Sequence, residues 1–249
     1  MLIQKFRNMG ADLLINERRP LGIFIDKDKF VLGTGGEGDI SVVDCRPKDR
    51  HLLLKLQMPS INVHKPIVSK LLCGHDERHW FAAEVPRSAS NVNHAMQTLK
   101  PAVAIRSQQK AGVKADKLNK RHNKGYIRQG EWFFIPTNIF DKCEPFLVFK
   151  NEPFRSTGKN HFAEFLARDG GTLVYVNNTL APNGITEREF NRLSPQVKKH
   201  GWTTMTRNAA VYVKGRIRHQ DHSPVHLKTW CRVELNREIR GGRFNGFLD

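Results

Sequence analysis

The feature that most restricts the fold is a pair of period-two segments, Val211–His219 and Val225–Leu235, joined by the polar stretch Gln220–Pro224. Successive side chains on a strand point to opposite faces. In the first arm Val211, Val213 and Ile217 therefore share one face, and Tyr212, Lys214, Arg216 and Arg218 the other. In the second arm Val225, Leu227, Cys231, Val233 and Leu235 face one way. His226, Lys228, Trp230 and Arg232 face the other, with Glu234 the one acid among them. Two such arms around a short turn read as an antiparallel hairpin with an apolar inner face and a cationic outer face carrying two aromatic rings.

Cations along a strand track phosphates, and exposed rings stack on bases. The outer face thus reads as a nucleic-acid platform made of Tyr212, Lys214, Arg216, Arg218, Lys228, Trp230 and Arg232. The same residues also fit an ordinary solvated strand face on which Trp230 meets another element. Net charge favours the first reading: 41 Lys and Arg against 24 Asp and Glu give +17, with a pI near 10.0. A chain this basic accumulates on polyanions, nucleic acid first and an anionic membrane surface second. Membrane attachment is not expected, because no apolar run approaches the roughly 20 residues of a spanning helix. The start, from Met1 to Arg7, also lacks the apolar core of a secretory leader. Cys45, Cys73, Cys143 and Cys231 form no C-x-x-C pair, a pattern suited to reduced structural thiols in a cytoplasm.

With 249 residues, 39% hydrophobic and 26% charged, the chain suffices for one large domain or two small ones. The texture is strand-like from Gly22 onward, through Gly22–Ile25, Phe30–Leu32, Ile40–Val43 and His51–Leu56. Within it, LGTGGEGDI (Leu32–Ile40) matches G-x-G-x-x-G at Gly33, Gly35 and Gly38, but a strand rather than a helix follows. With Lys55 it looks like the glycine-rich loop and strand lysine of protein kinases, yet no His-Arg-Asp or Asp-Phe-Gly motif follows. A hairpin tip is the simpler reading. A strand is expected at His79–Val85, and a short helix over Ser90–Lys100 that ends before Pro101.

The most basic run is 106–128, where Lys110, Lys114, Lys117, Lys120, Arg121 and Lys124 recur at helical spacing with few apolar residues opposite them. It reads as an exposed arm that meets a polyanion. Strands follow at Tyr126–Pro136 and Phe146–Phe149. Asn160–Val176 reads as a hairpin around Asp169-Gly170, then come a helix near Thr186–Leu193, the final hairpin and a basic Arg237–Arg243 tail. The expected organisation is β-rich α+β, with antiparallel hairpins forming one or two sheets and a few short helices. Its parts are 1–105, the arm 106–128, and 129–249, the last able to join 70–105 in one domain.

The motifs CGHDERHWF (Cys73–Phe81), RQGEWFF (Arg128–Phe134) and RHQDH (Arg218–His222) resemble a family of uncharacterised bacterial proteins over roughly residues 70–240. The resemblance implies no activity. The chemistry therefore rests on the residues themselves. His75, Asp76, His79, His161, Glu164 and Asp221 are candidate acid–base or ligand groups, and His219 and His222 candidate ligands for a divalent metal ion. A metal-bound hydroxide beside a basic face suits attack on a phosphodiester. No H-E-x-x-H or deaminase motif is present. The leading expectation is a nucleic-acid-binding protein whose partner is DNA or RNA. The alternatives are a metal-dependent hydrolase or nuclease acting on nucleic acid, and a protein-interaction module that works within a protein complex.

Overall fold

A computed structural model describes residues 2–60, 66–77, 79–142, 144–154 and 160–237. Cys143 and the tail beyond Arg237 lie outside them. Among the described residues, seventeen mostly antiparallel strands are divided among four sheets, accompanied by five short helices. The β-rich α+β expectation holds, but the one or two sheets are four. The described residues divide into two compact units: those up to Phe133 together with 234–237, and those from Phe134 to Val233. The basic run 106–128 does not form the boundary and belongs to the first unit.

The first unit opens with α1 (Leu2–Asn8), β1 (Leu13–Pro20), β2 (Gly22–Asp26) and β3 (Lys29–Gly35). β3 is central, parallel to β1 and antiparallel to β2. The glycines of the Leu32–Ile40 loop serve this contact: a Cβ on Gly33 would meet the Pro20 carbonyl oxygen at 2.0 Å, and one on Gly35 the Arg19 and Glu17 carbonyls at 2.7 Å. Both edges of β3 are taken. The chain after Gly35 therefore leaves for a second sheet, and the expected hairpin tip is a corner between sheets.

That second sheet is a meander of β4 (Asp39–Arg46), β5 (His51–Met58), β6 (Ile67–Asp76) and β7 (His79–Val85). The continuous apolar run of β5 is explained by burial on both faces. Leu52, Leu54 and Leu56 join Phe6, Phe30 and Cys73 in one core, while Leu53 joins Leu72, Val85, Val92 and Ala95 in another. The latter two residues come from α2 (Val92–Thr98), capped by the Asn91 side chain.

α3 (Ala102–Lys110) begins just beyond Pro101, and the pair β8 (His122–Asn123) and β9 (Tyr126–Gln129) completes the run expected as a free arm. A buried polar node holds it down. The Leu118 carbonyl accepts from Lys100 Nζ at 2.6 Å, Gln108 Nε2 at 2.7 Å and Tyr126 Oη at 3.0 Å. Lys100, only 3% exposed, also donates to the side-chain oxygens of Gln97 and Gln108. Lys110, Lys114, Lys117, Lys120 and Lys124 remain exposed. They do not share one helix, because α3 ends at Lys110.

The second unit carries β10 (Trp132–Pro136) from Phe134 onward, then β11 (Phe149–Pro153) and β12 (Phe162–Asp169). A small sheet follows from β13 (Thr172–Asn177) and β14 (Ala181–Thr186), with α4 (Glu187–Asn191), α5 (Pro195–Lys198) and β15 (Thr203–Arg207). The C-terminal hairpin is β16 (Ala210–Arg218) and β17 (Val225–Leu235), antiparallel as expected. The main sheet of this unit runs β11-β12-β16-β17-β10, and the small one β14-β13-β15. β12 already pairs with β11 and β16. β13 therefore cannot pair with it, and Asp169-Gly170 is a second corner rather than a hairpin turn. α4 opens with a capping box between Thr186 and Glu189.

The hairpin forms with a register shift between Val213 and Gly215, and its outer face is not an open aromatic platform. Tyr212 and Trp230 are buried with Ala167, and Phe140, Val148 and Phe165 pack on them. The Phe140 ring lies 5.1 Å from Tyr212 and 5.3 Å from Trp230, and the Trp230 indole donates to Glu144 at 3.2 Å. Rings present a large apolar area, so a sheet face carrying two of them attracts cover.

Two predictions follow from these packings. Trp230→Ala should destabilise the protein by about 3–5 kcal/mol, as for a buried aromatic; a loss below about 1 kcal/mol in urea unfolding would return the ring to the surface. The second concerns Lys100, whose pKa burial and then Arg128 pull from 10.5 to about 7. Between those values the unfolded chain binds more protons than the folded one, so stability is complete above about 10.5 and declines as pH falls towards 7. The difference in melting temperature between the wild type and Lys100→Met should therefore grow in the wild type's favour from pH 7 to 10. A difference that stays flat would show Lys100 to titrate as an ordinary lysine.

Candidate metal centre

In the second unit, strand register brings two histidines together. Phe162 pairs with Arg218 and Ala163 with Ile217. Ala163 and Ile217 are fully buried, so the next residues on that same face, His161 and His219, continue the core to the end of the sheet. The backbone N–H of Phe154 donates to the His161 carbonyl at 3.2 Å, which ties this end of the chain to β11. His222 arrives from the β16–β17 turn. The ligand atoms of His161, His219 and His222 all lie within 4.8 Å of one another.

The three rings stack. Centroids are 4.0 Å apart for His161 and His219, 4.6 Å for His219 and His222, and 5.6 Å for His161 and His222, with planes inclined by 19°, 28° and 25°. The Phe154 ring sits 5.4 Å from His161, an apolar wall on the buried side. Burial, then His219 and His222, push the pKa of His161 down to about 3. It is therefore neutral at physiological pH, the form that binds metal.

Three imidazoles are a donor set for zinc, cobalt, nickel or copper rather than for magnesium or calcium. A tetrahedral ion with metal–nitrogen bonds of about 2.0–2.1 Å wants its nitrogens about 3.3 Å apart and each ring plane aimed at it. The stacked rings would have to turn inward to meet that geometry. His219 Nδ1 accepts from the Asp221 backbone N–H at 3.1 Å. An ion would take that lone pair from the amide or require the ring proton to move from Nε2.

The other candidates of this unit have different roles. Glu164 stands in β12 opposite a bulge of β16, where Gly215 and Arg216 lie between the paired positions Lys214 and Ile217, and its Oε2 accepts from the Arg216 backbone N–H at 2.8 Å. Gly215 makes room for it: at φ +83°, a Cβ there would meet that oxygen at 2.5 Å. Glu164 thus organises the strand beside the histidines and is not one of the cluster. Asp221 acts through its backbone on His219. Beyond Tyr212 and Trp230 the outer face does open. Arg216, Arg218, His226 and Lys228 are exposed, Arg216 faces His226 across the hairpin, and Phe162 is 38% exposed beside Arg218. Phe162 was missed in the sequence, although its place in the alternation of Phe162–Asp169 opposite Ala163 was the available signal.

His75, Asp76 and His79 lie in the first unit, separate from this cluster. Asp76 bridges Arg121 and Arg128, His75 packs edge-on against Trp80 at 4.8 Å, and His79 pairs with Asp28 at 3.2 Å on the surface. Arg121, expected on the exposed arm, is thus held by Asp76 and Glu77. No protein-family model, curated protein or solved structure matches the chain.

Gly215→Ala should destabilise the protein by about 1–3 kcal/mol from backbone strain alone, and more through the Glu164 contact. Chemical denaturation of Gly215→Ala and Glu164→Ala checks this. A neutral Gly215→Ala would show that the bulge is not built on its positive φ.

Proposed function

We propose that the second unit binds a divalent transition metal through His161, His219 and His222 and uses it on a phosphodiester of nucleic acid. The observation that carries this reading is the convergence of three imidazole nitrogens from two strand ends and a turn. Three protein ligands that leave a fourth position open are the usual arrangement of a catalytic zinc. Such an ion lowers the pKa of a bound water towards 7 and so supplies hydroxide. Arg216, Arg218 and Lys228 supply the charge that holds a polyanion, and Phe162 a face on which a base stacks. The net charge of +17 supports the same partner. Because neighbouring residues on a strand face opposite ways, a strand lying along these cations reaches the histidines only by bending over the sheet end at the 219–224 turn. A flexible single strand makes that bend more easily than a duplex.

Elemental analysis and cobalt titration of the full chain test the metal. About one equivalent should bind with the visible absorption of four-coordinate cobalt, and His219→Ala and His222→Ala should each abolish it. Arg216→Gln with Arg218→Gln should keep the metal and flatten the salt dependence of single-strand binding by about one to two units of slope. Metal-dependent cleavage of single-stranded RNA or DNA should be lost in the histidine variants. A protein that binds no metal above background would remove the reading. Metal without cleavage would leave a binding module with a structural ion, which the exposed Arg216, Arg218 and Phe162 surface also supports.

A further inference from the structure

The first unit contains a separate cleft of about 310 Å³, the lower end of the range for small-molecule sites. Its floor is made by Arg121 and Arg128, whose guanidinium groups are gathered by the two oxygens of Asp76. Each guanidinium has five N–H groups. Among the described residues, Arg121 spends two on Asp76 and Glu77, and Arg128 two on the Gly130 carbonyl and Asp76. Each guanidinium has N–H groups beyond these two contacts, and they are the donors that a ligand in the cleft would use. The other acids of the wall, Asp49 and Asp116, are exposed, where water screens their repulsion of an anion. On the remaining walls Phe81 and Met96 offer an apolar surface, and Asn93 and Asn119 offer amides.

The surrounding groups register the positive field. Burial lowers the pKa of His51, its hydrogen bond to the Asp49 backbone opposes this, and Arg128 and Arg121 add to the lowering while the Asp49 charge counters it. Burial and then Arg128 bring Arg121 itself down to about 10. Two guanidinium groups this close are relieved by a further anion, and a doubly charged phosphate suits a fork of paired donors better than a carboxylate does. The apolar wall within the same small volume adds a flat ring to the requirement.

We propose that this cleft binds a small phosphomonoester carrying a flat ring, of which a nucleoside monophosphate is the type, with its phosphate on Arg121 and Arg128 and its ring against Phe81 and Met96. The site is independent of the histidine cluster. It uses residues 121 and 128 of the run that the charge pattern presents as a polyanion-binding arm, so a mononucleotide and a long polyanion make different demands on it.

The test titrates the full chain with AMP, inorganic phosphate and adenosine in turn, in buffer containing a chelator so that a metal contributes nothing. Calorimetry and the melting temperature are both followed, since a ligand of the folded state raises the latter. AMP should bind saturably and at least about tenfold more tightly than either phosphate or adenosine, a difference of about 1.4 kcal/mol. Arg121→Gln and Met96→Trp should each weaken AMP binding by about tenfold or more. Met96→Trp fills the cleft without altering any charge and decides the matter should Arg121→Gln fail to fold. Absence of saturable AMP binding, AMP binding no tighter than phosphate, or binding unchanged in Met96→Trp would each overturn the proposal.

Discussion

A β-strand has two hydrogen-bonding edges, and the strands on which this protein is built use both. β3 lies between β1 and β2, and β12 between β11 and β16. Once both edges are filled, the next strand in sequence has nowhere to pair and must begin another sheet. The corners after Gly35 and at Gly170-Gly171 are consequences of this, and they raise the number of sheets to four. Glycine is needed at the first corner because β1 and β3 approach so closely that a Cβ on Gly33 or Gly35 would strike a carbonyl.

The same edge logic places the chemistry. β12 and β16 pair through Phe162 and Arg218, and beyond that pair the ladder stops while the side-chain alternation carries on for one more residue. His161 and His219 therefore emerge at the rim of an apolar core, where burial keeps His161 neutral and the turn can add His222. An imidazole cluster at a rim is suited to an ion that enters from solvent, since ligands buried further in would lose access and exposed ones would lose their fixed arrangement. One residue back along each strand, on the opposite face, are Phe162 and Arg218, exposed to solvent.

The first unit manages its charge in a different way. Lys100, Arg121 and Arg128 are drawn inward, each held by acceptors: carbonyl and amide oxygens for Lys100, Asp76 and Glu77 for Arg121, and Asp76 with the Gly130 carbonyl for Arg128. A buried cation without partners would cost several kcal/mol. These partners come from strands, helices and a loop far apart in sequence, so the network joins 97–128 to the meander. The basic run becomes part of a fold through polar contacts, in a segment with too few apolar residues to dock by burial alone.

The sequence by itself determined the local structure: the period-two hairpin of β16 and β17, the short helix that ends before Pro101, the helix near Thr186, and the strand character of β5. These are visible because strand alternation, capping and turn chemistry are decided by residues within a few positions of one another. His219 and His222 were recognisable as ligand types three residues apart for the same reason. Tertiary structure alone decided which edges were free, so that two turns with the chemistry of hairpins became corners. It decided that Tyr212 and Trp230 would be covered, because the covering ring, Phe140, lies some 70 residues or more away in the chain. It also chose His161 rather than Asp76 or Glu164 to complete the cluster, since strand register, which depends on the whole sheet, sets which side chains share a rim. Charge was legible as a total, but not its destination: the pull of a buried acceptor on Arg121 or Lys100 exists only once distant segments have met.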